Sequence, residues 1–315
     1  MRILITGGNG YVGRTLTRHL YGEHNVGVLD YLKKGKIRFN ESELSRFNLF
    51  QHDIRDFGRV EETIAKFDPQ VVIHLAAVHF IPECEAHPDE AISINTLGTV
   101  NLLRALRPDT RFVFASTAAV YAPEDRPHDE ATSVVGPMDI YGLTKLHGED
   151  YIRYMAKIKP IDARIVRLFN VVGPGETNPH LLPAILAQAL RGVRTLRLGN
   201  CSPKRDYIHV DDVARGFAAV ALGERKSKEP DVVNLGTGSG YSVTEVVDQL
   251  SGVIGETLKI VTDPSRVRES DRPFLSAATK RILDHYAWSP AKTLTDSLRD
   301  LWTNPDIPAE LLNRS

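Results

Sequence analysis

Tyr141 and Lys145 stand four residues apart in the run Tyr141-Gly142-Leu143-Thr144-Lys145. On a helix that spacing puts both side chains on one face. A phenol titrates near pH ~10 and is a poor base at neutral pH, but a neighbouring ammonium favours the phenolate and lowers that value. Such a pair can take a proton from a hydroxyl, and Lys145 can also hydrogen-bond a cofactor ribose. The same spacing arises on ordinary surface helices, so it gains meaning only in company. Ser116 and Thr117 close the apolar run Arg111-Phe112-Val113-Phe114-Ala115, where a hydroxyl can meet a substrate oxygen beside the phenolate. A Ser-Thr pair there can equally cap a turn.

A second constellation suits phosphate. Thr6-Gly7-Gly8-Asn9-Gly10-Tyr11-Val12-Gly13 directly follows the apolar stretch Met1-Arg2-Ile3-Leu4-Ile5. Gly7 permits a tight turn, Gly10 lets the backbone approach a pyrophosphate, and Gly13 lets a helix pack closely on the strand. The helix start then offers free N–H groups and a partial positive charge. A further apolar stretch, Asn25 to Leu29, ends in Asp30, about 20 residues past the glycines, where dinucleotide folds hold the adenosine ribose. A carboxylate there repels a 2′-phosphate and favours NAD over NADP; a capping aspartate is the alternative.

These residues need a scaffold. Strand-like runs recur at 2–5, 25–29, 71–75, 111–115 and 163–168, with amphipathic helical stretches at 11–21, 56–67, 89–106 and 140–158 between them. That alternation predicts an α/β fold with a doubly wound parallel sheet. After Asn170 the pattern breaks at Gly173-Pro174-Gly175. A helix near 181–191, a strand at 232–235 and helices near 244–252 and 293–302 then predict a smaller C-terminal cap. Ligands should bind in the groove beyond the carboxyl ends of the strands.

Composition narrows the class. The chain has 315 residues, with 39 Lys and Arg against 40 Asp and Glu, and no basic stripe that would fit nucleic acid. Cys84 and Cys201 form no framework, and the eleven histidines lack metal-ligand spacing, which predicts no metal and a reduced cytoplasmic setting. The opening strand leaves no room for a signal peptide, and no apolar run is long enough to span a membrane.

In chain order the pieces resemble the extended short-chain dehydrogenase/reductase family, the NAD-dependent sugar-nucleotide epimerases and dehydratases. The resemblance runs through the 6–13 loop, Asp30, His52-Asp53-Ile54, His74-Leu75-Ala76-Ala77, Asn95 to Thr99, Ser116-Thr117, Tyr141 to Lys145, Arg167 to Pro174 and Arg205 to Asp212. It implies a Rossmann domain over 1–170, to which 206–237 return, and a nucleotide-sugar cap over 171–205 and 238–315. It implies that Gly7, Gly10, Tyr11, Val12, Gly13 and Asp30 hold NAD, with Asp53 and Ile54 at the adenine. Leu75, Ala76 and Ala77 line the cofactor, Asn95 steadies it and the active-site helix, and Phe169 sits at the nicotinamide end. His79 falls where related epimerases place a lysine near NAD. On the substrate side it implies Asn170, His180 and Leu181 near the sugar nucleotide. Arg205, Arg268 and Asp271 match positions that grip the diphosphate and the nucleoside ribose, and forked guanidinium donors suit that task.

By resemblance, Thr117, Tyr141 and Lys145 are the catalytic set, with Tyr141 taking the proton of the hydroxyl at sugar carbon 4 while hydride leaves that carbon for NAD. Related 4,6-dehydratases carry an Asp-Glu pair right after the threonine, and related decarboxylases keep the glutamate. Here those positions are Ala118 and Ala119, which cannot carry a proton. The expectation is a nucleoside-diphosphate-sugar 4-epimerase acting on a UDP-hexose or UDP-uronic acid through a 4-keto intermediate. The runner-up is a 4-keto nucleotide-sugar reductase, which Asp30 weakens. A binding or regulatory protein that keeps its cofactor is the non-enzymatic alternative. Relatives pair through helices equivalent to 89–106 and 140–158, which implies a homodimer; Leu97, Val100, Leu103, Leu106, Leu143, Leu146 and Ile152 offer apolar material for that face or for the sheet.

Overall fold

The computed structural model describes residues 1–33, 36–176, 178, 180–267 and 272–306. The chain opens with β1 (Arg2–Thr6), α1 (Tyr11–Leu20), β2 (Asn25–Asp30), β3 (Asn48–Gln51), α2 (Phe57–Phe67) and β4 (Val71–His74). Then come α3 (Gly98–Ala105), β5 (Arg111–Thr117), α4 (Ile140–Ile158) and β6 (Asp162–Leu168). There the chain leaves the sheet to build a second layer: β7 (Asn170–Val172), α5 (Leu181–Leu190), β8 (Thr195–Leu198) and β9 (Lys204–His209). It returns through α6 (Val210–Leu222) and β10 (Asp231–Leu235), then finishes the second layer with β11 (Gly240–Ser242), α7 (Val243–Ile254), β12 (Lys259–Thr262), β13 (Phe274–Leu275) and α8 (Leu294–Thr303).

The large sheet has the order β10-β6-β5-β4-β1-β2-β3, and every pair in it is parallel. Alternating side chains divide its core between two faces. Ile3 and Ile5 join Leu16, Leu20, Val213 and Phe217 on one face, whereas Leu4 joins Val60, Ile64, Leu102 and Ile152 on the other. The strand order reverses between β1 and β4, which opens a crevice at the carboxyl ends of the strands. Over that crevice lies the small sheet, in which β9 is flanked by β7, β11 and β13, with α5, α7 and α8 packed around Leu186, Tyr207, Val246 and Leu298.

Three details differ from the sequence reading. β3 extends the sheet at its edge, although its half-buried residues gave no strong apolar run. The return expected at 206 starts at Val210, because 206–209 belong to β9 in the small sheet. The helix expected over 89–106 is three pieces: Pro88–Ile92, a π-helical Ser93–Leu97, and α3. That single wide turn carries Asn95, which is fully buried, and such bulges are often found at functional sites.

Candidate active site

The crevice is a cleft of about 1340 Å³ lined from both layers. Its phosphate end is the β1–α1 turn. Gly7 has φ +72°, and a Cβ there would lie 2.7 Å from the Ala76 nitrogen. At Gly13 a Cβ would stand 2.2 Å from the Gly7 carbonyl oxygen, so only glycine lets α1 press onto the turn. Gly10 caps α1 without a side chain, which leaves the first-turn N–H groups of a ten-residue helix facing the cleft. This cradle fits a dinucleotide pyrophosphate. The Tyr11 hydroxyl is committed elsewhere, donating to the Gly173 carbonyl at 2.8 Å. Asp30 ends β2 with its carboxylate accepting the Asn9 N–H at 3.0 Å and the Leu32 N–H at 2.8 Å, and burial pushes its pKa up.

Along the cleft wall come Asp53, Ile54, Leu75, Ala76, Ala77 and His79. Arg55 binds the Asp53 carboxylate through Nε at 3.0 Å and Nη2 at 2.6 Å. Asn95 does not line the cleft; it acts at one remove. Its side chain accepts the Val78 N–H at 2.8 Å and donates to the Val78 carbonyl at 2.9 Å and to the Thr144 hydroxyl at 3.0 Å. Asn95 thus braces the wall segment at Val78 and the helix at Thr144. Beneath it a buried chain runs from Thr6 through His74 to Thr99 at 2.7 and 2.9 Å, and Thr99 donates to the Asn95 carbonyl at 2.6 Å. Burial drives the His74 pKa well down, so its ring is a neutral link. His79 meets the Asn178 amide at 2.8 Å and lies edge-on to the His180 ring.

Tyr141, Lys145 and Thr117 converge where β5 ends and α4 begins. Asp139, two residues before Tyr141, caps α4 by accepting the Gly142 N–H at 2.7 Å and so fixes the start of the helix. Tyr141 and Thr117 both line the cleft there, and the Thr117 hydroxyl works to lower the phenol's pKa. Lys145 is buried, with its Nζ 4.7 Å above the Phe114 ring, and no hydrogen-bond acceptor reaches it among the described residues. It faces the cleft, where a ribose hydroxyl would serve. The ionisation differs from the sequence expectation. Burial raises the phenol far above its usual range, Thr117 working against this and Cys84 and Asp139 adding to it. Burial also pulls the Lys145 ammonium down to about 7. Desolvation of the charged form dominates at each group.

Ser116 is not free to meet a substrate, because its hydroxyl donates to Glu149 Oε1 at 2.5 Å. Glu149 is held in turn by a fork from Arg167 at 3.0 and 2.8 Å, fully buried under the site. Glu149 continues the Tyr141–Lys145 stripe at the same spacing of four, a signal the sequence did contain. At the second-layer end, Asn170, His180, Leu181 and Arg205 all line the cleft, as does Phe169. His180 Nδ1 meets Glu176 Oε2 at 3.2 Å. Arg268 and Asp271 lie outside the described residues. Arg272, which no motif marked, reaches the cleft beside Ala119. Among the described residues no cluster of His, Cys, Asp and Glu could hold a metal ion, and no helix is long and apolar enough to cross a membrane.

A doubly wound α/β protein with a glycine cradle, an acid closing its second strand and a buried Tyr–Lys pair in one cleft has the form of a nicotinamide-dinucleotide enzyme of the short-chain dehydrogenase type. The chain belongs to the NAD dependent epimerase/dehydratase family, whose model matches residues 3–236. A UDP-glucose 4-epimerase from Streptomyces lividans is 33% identical over 322 residues, covering 96% of this chain and 95% of its own. Among solved structures, a UDP-glucose-4-epimerase from Stenotrophomonas maltophila with bound NAD and formylated UDP-arabinopyranose has TM-score 0.85 and 27% identity, over 96% of this chain and 97% of that one. A UDP-glucuronic acid 4-epimerase from Bacillus cereus, in complex with UDP-glucuronic acid and NAD, has TM-score 0.85 and 26% identity, over 96% and 98%.

Proposed function

We propose that the protein is an NAD-dependent epimerase of a nucleoside-diphosphate sugar, inverting carbon 4 of a UDP-hexose or UDP-uronic acid. One observation carries the reading. Thr117, Tyr141 and Lys145 meet in the cleft that holds the glycine cradle, and the two residues after Thr117 are the buried Ala118 and Ala119. When bound, NAD supplies a positively charged ring and a reversible acceptor for hydride from carbon 4. The chain's residues do the rest. The turn from Gly7 to Gly13 holds the cofactor pyrophosphate, Asp30 the adenosine ribose, Asp53 and Ile54 the adenine, and Lys145 the nicotinamide ribose. Leu75, Ala76, Ala77 and His79 form the wall, and Phe169 closes the nicotinamide end.

Tyr141 takes the proton of the carbon-4 hydroxyl on its phenolic oxygen and gives it back after the sugar has turned, with Thr117 holding the same substrate oxygen. Asn170, His180, Leu181 and Arg205 hold the sugar nucleotide from the second layer, and Arg268 and Asp271 complete that grip. No carboxylate at 118 or 119 can move a proton at carbons 5 and 6, which favours return of the keto sugar over dehydration. The UDP-sugars held by the related structures support a uridine nucleotide.

The outer faces of 93–97 and α4 support a homodimer: Leu97, Leu143, Tyr151, Tyr154 and Ile158 are exposed, whereas Leu103, Leu106 and Ile152 sit in the sheet core. Two free cysteines support a reduced, cytoplasmic setting. The test is incubation of purified protein with UDP-glucose, UDP-glucuronate and their relatives, with no nicotinamide nucleotide added. An epimerase interconverts the carbon-4 isomers over many turnovers. A 4-keto reductase stays inert until given a keto sugar and a hydride donor, and that outcome would displace this reading.

A further inference from the structure

Arg272 reaches the cleft from the segment just before β13 and bonds two places that carry the chemistry. Its Nη1 donates to Asp139 Oδ2 at 3.2 Å and its Nη2 to the Ala119 carbonyl at 3.0 Å. Asp139 is the cap of α4, two residues before Tyr141. Ala119 stands two residues after Thr117, and its N–H donates to the Thr117 hydroxyl at 3.1 Å. Helix and loop already touch here, since a Cβ on Gly142 would come within 2.6 Å of the same Ala119 carbonyl oxygen. One guanidinium fork therefore spans the gap between the element bearing the threonine and the element bearing the phenol.

Both partners of the ion pair are only 11% exposed, so water does not screen it as it would a surface pair. Its charge is matched by Asp139, which leaves it poorly suited to greet an anionic sugar group. Its backbone has a second attachment: the Arg272 carbonyl accepts Arg205 Nη1 at 2.7 Å. Arg205 is the guanidinium assigned above to the diphosphate.

We propose that Arg272 is a positioning residue that holds Thr117 and Tyr141 in register and ties that register to the arm gripping the diphosphate. The inference rests on the epimerase reading. Fixed donors at the correct angles are what the task needs, so lysine, with charge but no fork, is a poor replacement.

The experiment compares wild type, Arg272→Ala and Arg272→Lys, each carrying its own NAD, for kcat, KM, UDP affinity by calorimetry, and thermal midpoint. The expected result is a kcat lower by about 100-fold in both variants, the scale of a small misplacement of reacting groups, with UDP affinity retained. Guanidinium ion at non-denaturing concentration should restore part of the kcat of Arg272→Ala and none of that of Arg272→Lys. A purely structural role would lower the midpoint without rescue. Wild-type kcat in a folded variant, or a loss confined to KM and UDP binding, would overturn the proposal, and the lysine variant decides if the alanine variant does not fold. A wild type inactive on every UDP-sugar tested would instead sink the epimerase reading.

Discussion

The same desolvation that lifts the Tyr141 phenol brings the Lys145 ammonium down to about 7, so in the protein alone burial holds the phenol protonated, and taking a substrate proton requires the positive charge that a bound nicotinamide ring would bring. Tyr141→Phe removes one oxygen and leaves the ring's packing in place. Turnover should fall by about 10²–10⁴-fold while bound NAD, read by absorbance after denaturation, stays near wild type. Wild-type turnover would remove the tyrosine from the mechanism. Lys145 makes a separate prediction about stability. Its pKa is depressed in the folded state, so below about pH 7 the protein without NAD bears the full cost of a buried charge. That cost shrinks as pH rises from 7 towards the ordinary lysine value of 10.5. Lys145→Met should therefore melt about one to two degrees above wild type at pH 6 for a gain of ~1 kcal/mol, with the gap closing at alkaline pH. A gap that widens with pH would contradict the assignment. The Tyr141–Lys145 pair was legible in its spacing of four, whereas Glu149, which continues that spacing, was not singled out. Arg272 was not, because its partner Asp139 lies 133 residues away and no local pattern links them.

At the scale of elements, the cleft depends on how short pieces are braced. The buried strands and the helix over 140–158 were readable because apolar runs and a glycine turn act locally. The second layer was harder to read, since β7, β11 and β13 are two or three residues long and owe their form to partners distant in sequence. The π-helical turn was invisible for a related reason. It exists so that Asn95 can face inward and satisfy both backbone groups of Val78, and hydrophobic periodicity carries no trace of that. Asn95→Ala should strand those groups and release Thr144, costing about 1–3 kcal/mol per buried group left unpaired. Chemical denaturation should show that loss, together with weaker retention of NAD. An unchanged midpoint would mean the wall stands without its brace.

For the whole molecule, two layers meet at one cleft: the parallel sheet brings the glycine turn, Thr117 and the Tyr–Lys pair, and the small sheet brings Arg205 and Asn170. The exposed row on α4 gives the assembly prediction. Tyr154→Arg places a charge among Tyr151 and Ile158 and should shift a dimer to monomer in sedimentation, whereas an unshifted species would place the interface elsewhere. The most direct test of the central claim uses a UDP-hexose carrying deuterium on carbon 4, incubated in ordinary water without added nucleotide. An oxidation and re-reduction at one carbon within one closed site should give the inverted sugar with the deuterium still on carbon 4. An inverted product that has lost the label to solvent would mean that the carbon is deprotonated instead, and the roles given to Tyr141 and to the cofactor cleft would be wrong.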